Sequence, residues 1–291
     1  MVRVAKRRVK GGSYFYLEHT IRQGGKRITR TKYLGSKIPK EIDDLKKQFR
    51  HELDREKWFN AFEEVKKAYL AELRRTPPSA IMKAIREFSI RFTYNTQRIE
   101  GSTLTLRETT ELLEHNVSPG NRPIEDVKEA EAHHRVFLSM LEFRKDLSLN
   151  TIEEWHHEMF KDTKRDAAGK IRRHGVRISG SRFVPPSPVE LQPLLREFFA
   201  WYEKSKKKIH PVELAALAHL RFVTIHPFSD GNGRISRLMM NFVLNKHQYP
   251  MLNIEYTRRG SYYTALERAQ LTKDDRIFIT WFFRRYIKEH T

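Results

Sequence analysis

The sequence predicts a mainly helical domain with a small β-hairpin flap, preceded by a small three-stranded antiparallel sheet plus a helix. Three observations predict this. Residues 2–9, 13–21 and 27–34 read as β runs separated by Gly11-Gly12 and Gly24-Gly25, the glycine pairs of tight hairpins. From Ser79 onward apolar residues recur at helical spacing between short Pro/Gly breaks at 118–123, 175–188 and 226–233. Within that helical background, residues 173–184 (RHGVRISGSRFV) alternate in character around Gly180, as the two arms of a hairpin do.

Taken in order, the second β run places Tyr14, Tyr16, Glu18 and Thr20 on one face and Phe15, Leu17, His19 and Ile21 on the other. One side of the meander can therefore pack, and the helical segment 39–73 supplies the covering layer. Thr76-Pro77-Pro78 breaks that helix, because proline lacks the amide hydrogen and clashes with the preceding turn. The boundaries expected are thus a basic sheet-plus-helix module over 1–75 and a helical domain over 79–291. Farther on, Pro211 opens a helix whose Leu214, Leu217, Ala218 and Phe222 form an apolar stripe. After a tight loop, Ile235, Leu238, Met239, Phe242 and Val243 form a second stripe, so the loop at 226–233 is held between two buried helices.

Composition narrows the class. The chain has 291 residues, 39% of them hydrophobic, enough for one substantial core and a small second module. It contains no cysteine, which excludes disulfides, zinc ribbons and cysteine nucleophiles. No window approaches the roughly 18 apolar residues of a membrane span, and a soluble, cytoplasmic protein is expected. The net charge is +20; residues 1–40 hold twelve Lys and Arg against one acid, Glu18, so +11 of the total lies at one end. A 32% charged composition without cysteine also suits a thermophile, but thermophily does not explain that clustering.

The chemistry concentrates at residues 226–237. Two glycines flanking an asparagine at a helix N-terminus turn backbone N–H groups toward one point, where the helix dipole adds partial positive charge. Arg234 and Arg237, one turn apart, suit further phosphate oxygens. Asp230, just before the cradle, would repel a phosphate unless a cation stood between them, which points to Mg²⁺. His226, with an ordinary pKa of about 6.5, suits the acceptance of a hydroxyl proton. There is no third glycine at dinucleotide-binding spacing and no GxxxxGK[ST] loop. Neither His133-His134 nor His156-His157 carries the HExxH spacing, so both pairs read as packing or surface.

HPFSDGNGRISR, residues 226–237, resembles the Fic family signature HPFx[D/E]GNGRxxR at every specified position, and the similarity extends from about Ser79 to the C-terminus. The resemblance implies a Fic-type helical core and a protein adenylyltransferase, with ATP as substrate and Mg²⁺ as cofactor. His226 would be the general base and Asp230 the metal ligand. Gly231, Asn232 and Gly233 would cradle phosphates, Arg234 would contact them, and Arg237 would pair with the γ-phosphate. Upstream, Thr96, Glu100 and Gly101 resemble the inhibitory motif [S/T]xxxE[G/N], implying an inhibitory helix near 84–100 whose Glu100 occupies Arg237. The alternative role for Glu100 is to cap the next helix. By position, 173–184 matches the family's flap, whose edge at Ile178, Ser179, Gly180, Ser181 and Arg182 aligns a protein target by strand addition. Tyr262 and Tyr263 line an adenine pocket or belong to the core. The resemblance also implies a protein substrate bearing a Ser, Thr or Tyr hydroxyl, and self-association as a dimer.

Two other readings stay open. Glu100 also permits the reverse reaction, removal of AMP from a protein. The front end, with Arg3, Lys6, Arg7, Arg8, Lys10, Lys26, Arg27, Arg30 and Lys32, suits a nucleic-acid backbone, an acidic protein, or simply a charged thermophile surface. A nucleic-acid-binding regulator with a vestigial Fic core is the rival to the enzyme; the intact set of His226, Asp230, Arg234 and Arg237 speaks for the enzyme.

Overall fold

The structure, a computed structural model, describes residues 2–9, 11–23 and 26–291. The Gly24-Gly25 turn, Lys10 and the side chain of Lys26 lie outside the described residues. The chain forms two compact units, Met1–Glu63 and Glu64–Thr291.

The first unit is a meander of β1 (Arg3–Val9), β2 (Gly12–Gln23) and β3 (Lys26–Gly35), antiparallel and in that order. Val4 faces Leu17, and Leu17 faces Lys32 across β3. Because side chains alternate along a strand, this register puts Val2, Val4, Leu17 and Leu34 on one side. They pack with Ile42, Leu45, Phe49 and Leu53 of α1 (Ile42–Arg75), and Leu17 is wholly buried. The expected lid is thus the first part of α1.

The second unit is helical. α1 stops at Arg75, and α2 (Pro78–Ile99) begins with a proline in its first turn, where the missing N–H has no partner to lose. It continues through α3 (Leu106–His115), α4 (Ile124–Glu142), α5 (Leu149–Phe160), α6 (Pro188–Ser205), α7 (Pro211–Ile225), α8 (Asn232–Lys246), a 3₁₀ turn (Tyr256–Arg258), α9 (Arg259–Thr272) and α10 (Asp275–His290). Thr105 and Glu108 close a capping box at α3, and Ser187 and Glu190 do so at α6, each satisfying N–H groups that helix geometry leaves open. α7 and α8 form the centre of the core: Leu214, Phe222, Leu238 and Val243 are fully buried. Asn241 exchanges two hydrogen bonds with Leu252, at 2.8 and 3.0 Å, which seals the chain returning past α8. Among the described residues no helix is long and apolar enough to cross a membrane.

The expected hairpin at 173–184 needs correction. Its tip is a turn, with the Ser181 N–H on the Ile178 carbonyl at 3.1 Å and Gly180 at φ 74°, but its arms form no strand ladder. The arms bond elsewhere. The Arg172 guanidinium donates to the Pro186 carbonyl at 2.6 Å and to the His174 carbonyl at 2.8 Å. The Glu267 carboxylate of α9 accepts from the Ser181 hydroxyl at 3.0 Å and from the Arg182 N–H at 2.6 Å.

Candidate active site

α7 ends at His226, which adopts the left-handed conformation at φ 53° and ψ 56°. A side chain there is disfavoured, and persists only where surrounding bonds impose it. The His226 N–H is held by the Phe222 carbonyl at 3.0 Å, and its own carbonyl accepts from Arg172 Nε at 2.9 Å. Nδ1 lies 3.2 Å from the Val223 carbonyl oxygen, which can only accept. That contact fixes the proton on Nδ1 and leaves the lone pair on Nε2. Burial pushes the His226 pKa below 6.5, keeping the ring neutral at neutral pH.

The following turn is braced from below. Asn232 uses its whole amide on Phe228, accepting its N–H at 2.9 Å and donating to its carbonyl at 2.8 Å. What Asn232 offers an anion is therefore its backbone N–H, one of the first-turn groups without an intrahelical acceptor. Gly231, at φ 78°, has no room for a side chain, since a Cβ would stand 2.4 Å from the Phe160 ring. At Gly233 a Cβ would stand 2.3 Å from Glu100 Oε1, so this glycine is what admits Glu100 to the helix end.

His156 of α5 completes the brace. Its ring stacks on Phe228 with centroids 3.8 Å apart, Nε2 donates to the Asp230 carbonyl at 3.0 Å, and Nδ1 accepts from the Gly169 N–H at 2.9 Å. Burial lowers its pKa to about 4. The folded ring therefore refuses a proton that the unfolded one binds below about 6.5, and its contribution to stability is lost as pH falls from there toward 4. His156→Phe keeps the stack and loses both hydrogen bonds. The expected result in denaturant titrations is a loss of about 1–3 kcal/mol at neutral pH. The variant should also show a shallower decline in stability between pH 6.5 and 4.

Behind the loop lies an ion network. Arg234, 3% exposed, donates to Glu129 of α4, to Asp230 at 3.0 Å and to Gln97 at 3.2 Å, with its guanidinium 4.4 Å from the Phe160 ring centre. Lys164 joins through Glu129 and through Asp230 at 3.1 Å. Burial pushes the Asp230 carboxyl up, but Arg234 and Lys164 outweigh it and hold the group well below the usual carboxylate range. Asp230 is therefore ionised at any ordinary pH.

Arg237, 1% exposed, faces the other way, toward α2. It donates to Glu100 Oε1 at 2.5 Å, to the Thr96 carbonyl at 3.3 Å and hydroxyl at 3.4 Å, and to the Tyr262 hydroxyl at 3.3 Å. Burial opposes its charge, yet Glu100 reverses that and raises its pKa. Tyr262 in turn meets His219 Nε2 at 3.0 Å, and burial lowers the His219 pKa to about 3. Tyr262 is thus a buried support for Arg237. Its neighbour Tyr263 is 45% exposed and donates to the Ile99 carbonyl at 2.8 Å.

A cavity of about 570 Å³ gathers Glu100, His226, Gly233, Arg237 and Tyr263 of the expected residues, and the turn at 178–181 lines it too. Asp230 and Arg234 do not line it. Of the doubled histidines, His133 meets Thr93 at 2.9 Å and His134 meets Ser89 at 3.0 Å, and no cluster of three or more His, Asp or Glu placed to hold a metal occurs among the described residues. Sequence reasoning missed Arg172, His156, Glu129 and Lys164. For Glu129 a signal existed, since it lies one helical turn before the buried His133 on the inward face of α4.

Residues 146–244 match the Fic/DOC family. The chain is 33% identical over 195 residues to "Protein adenylyltransferase Fic" of Drosophila ananassae, covering 66% of this chain and 39% of the relative. To the protein of the same name from Aedes aegypti it is 34% identical over 195 residues, 65% of this chain and 39% of the relative. The chain thus spans about two fifths of the length of the curated relatives it matches. Among solved structures it resembles Fic-1 of C. elegans, with TM-score 0.73 and 26% identity over 85% of this chain and 74% of that one. It also resembles a Fic domain containing signalling protein of Bacteroides thetaiotaomicron, with TM-score 0.71 and 27% identity over 78% of this chain and 93% of that one.

Proposed function

The chain belongs to the Fic/DOC family, and from that premise we propose that it transfers AMP from ATP to a serine, threonine or tyrosine hydroxyl of a protein, held in check by Glu100. One observation carries the reading: a neutral histidine with a free Nε2 lone pair and a buried arginine at a helix N-terminus line the same cavity. The target hydroxyl attacks the α-phosphorus as His226 Nε2 takes its proton; the bond to the bridging oxygen breaks, and pyrophosphate leaves. The first-turn N–H groups of α8 face the charge that develops on the phosphates. Asp230 fits a Mg²⁺ ion: it is ionised and its side chain is 45% exposed. Its carboxylate accepts from Gly231, Arg234 and Lys164, leaving one lone-pair position open. Bound there, the ion would neutralise phosphate charge.

The brake rests on the Glu100–Arg237 pair, which occupies the guanidinium that the γ-phosphate requires. The turn at Ile178, Ser179, Gly180, Ser181 and Arg182, whose first four residues line the cavity, is placed to align a target segment there. A second reading, removal of AMP by water, draws on the Glu100 carboxylate sharing a cavity with His226.

The test is incubation with ATP labelled either at the α- or at the γ-phosphate. Label retained on protein from the α position alone supports AMP transfer, and label from the γ position alone overturns it in favour of a kinase. Release of AMP from pre-modified chain supports the second reading. The His226 pKa shift adds a pH expectation. The base works only when deprotonated, and burial lowers its pKa, so activity persists below 6.5 and is lost as pH falls through the lowered value. An acid limb of kcat/KM centred above 6.5 would remove His226 as the base.

A further inference from the structure

We propose that the open face of the N-terminal sheet binds duplex DNA, seated in the major groove. The pairing register puts Arg3 and Arg7 of β1, Tyr14 and Tyr16 of β2, and Arg27 and Tyr33 of β3 on the face opposite Leu17. The two faces differ in how their charge is treated. On the covered side α1 supplies acids to the two β3 cations: Arg30 pairs with Glu56, and Lys32 with Glu52 at 2.7 Å. The open side has one acid, Glu18, bonded to Arg3 at 3.2 Å and to Arg7 at 2.6 Å.

Glu18 is sunk beneath the pair it joins: its side chain is 10% exposed, against 76% for Arg3 and 48% for Arg7. It orients two guanidiniums without covering them. Arg27 has no carboxylate partner among the described residues. Between the arginines runs a ridge of tyrosines, Tyr14 to Tyr33 at 6.1 Å and Tyr16 to Tyr33 at 5.2 Å between ring centres. Beside it, Thr20 and Thr29 meet hydroxyl to hydroxyl at 3.0 Å, exposed.

Guanidiniums and hydroxyls on an exposed sheet are the groups that hydrogen-bond phosphates and base edges. The dimensions agree: three strands spaced about 4.8 Å apart span about 10 Å, and the major groove is about 12 Å wide. A single strand would need open aromatic faces for its bases to stack on. Here the rings tilt against one another at 46° and 54°, and the Arg7 guanidinium lies 4.8 Å from the Tyr16 ring centre, so their faces are partly taken up within the sheet. Duplex DNA is therefore the occupant favoured.

The test is fluorescence anisotropy of a short labelled duplex titrated with the full chain, without ATP, across a salt series. Three phosphate contacts predict a fall in affinity of about 40-fold between about 50 and about 200 mM salt. Arg7→Gln/Arg27→Gln is expected to reduce the slope of log K against log salt by about 2 while the melting temperature holds. Lys37→Gln/Lys40→Gln, which removes the same charge from exposed positions outside the sheet, is expected to leave that slope nearly unchanged. Equal losses from the two pairs would reduce the effect to overall charge and overturn the proposal. So would tighter binding to the single strand or to polyglutamate than to the duplex.

Discussion

Glu100→Gly is expected to raise the rate of AMP transfer by about 10²–10³-fold, the range associated with one well-placed donor at developing charge. The carboxylate lies 2.5 Å from Arg237 Nη2 and against the Gly233 backbone, so it fills both the guanidinium and the space at the helix end. Removing it frees both at once. The same substitution carries a cost of opposite sign. Arg237 is 1% exposed and keeps only Thr96 and Tyr262 as partners, and an uncompensated buried charge is costly, by about 3–5 kcal/mol where water is excluded. The Glu100 side chain is 26% exposed, so water entering in its place lowers that figure. The expected signature is thus a more active and less stable protein, with ATP restoring part of the stability because its phosphates re-pair the guanidinium. Initial rates of label incorporation, with melting temperatures measured with and without ATP, check both halves. A variant that melts lower but transfers no faster would leave the ion pair a structural contact and not a brake.

The sequence carried the parts of this molecule whose reasons are local. Alternation in residues 13–21 assigned Leu17 to the covered side of the sheet, and Leu17 is wholly buried there. The 3.6-residue spacing after Ser79 gave helices whose ends sit at prolines and capping boxes, as at Pro78 and Thr105. The loop from His226 to Gly233 was legible because its glycines are required by backbone geometry, Gly231 by a positive φ and Gly233 by the approach of Glu100. The residues that stayed hidden act across long chain separations through carbonyls. Arg172 reaches His226 across 54 residues and His156 reaches Asp230 across 74, each bonding a backbone oxygen that any residue type would present. No side-chain pattern marks such a contact. The strand pairing expected at 173–184 failed for a related reason: alternation predicts a ladder only if the two arms pair, and here Arg172 and Glu267 take up groups of the turn and its flanks.

In the Glu100→Gly background, His226→Ala and His226→Asn are both expected to lower AMP transfer by about 10²–10⁴-fold, the usual contribution of a positioned general base. The pair is needed because His226 has two roles. Its imidazole supplies Nε2 to the cavity, while its backbone occupies the left-handed region at φ 53° and ends α7. Alanine removes the ring and is also poorly suited to that conformation, so a loss from alanine alone could reflect a displaced loop. Asparagine is among the residues that enter the left-handed region most readily, and its short amide carries no basic nitrogen. If His226 acts as the base, the two variants fall together in kcat while ATP binding, carried by the α8 N-terminus and Arg237, stays close to that of the parent. If the asparagine variant recovers most of the activity, the left-handed turn is what catalysis requires and the proton acceptor must be sought elsewhere. Glu100 is already absent in this background, so it cannot mask the result by substituting as a base.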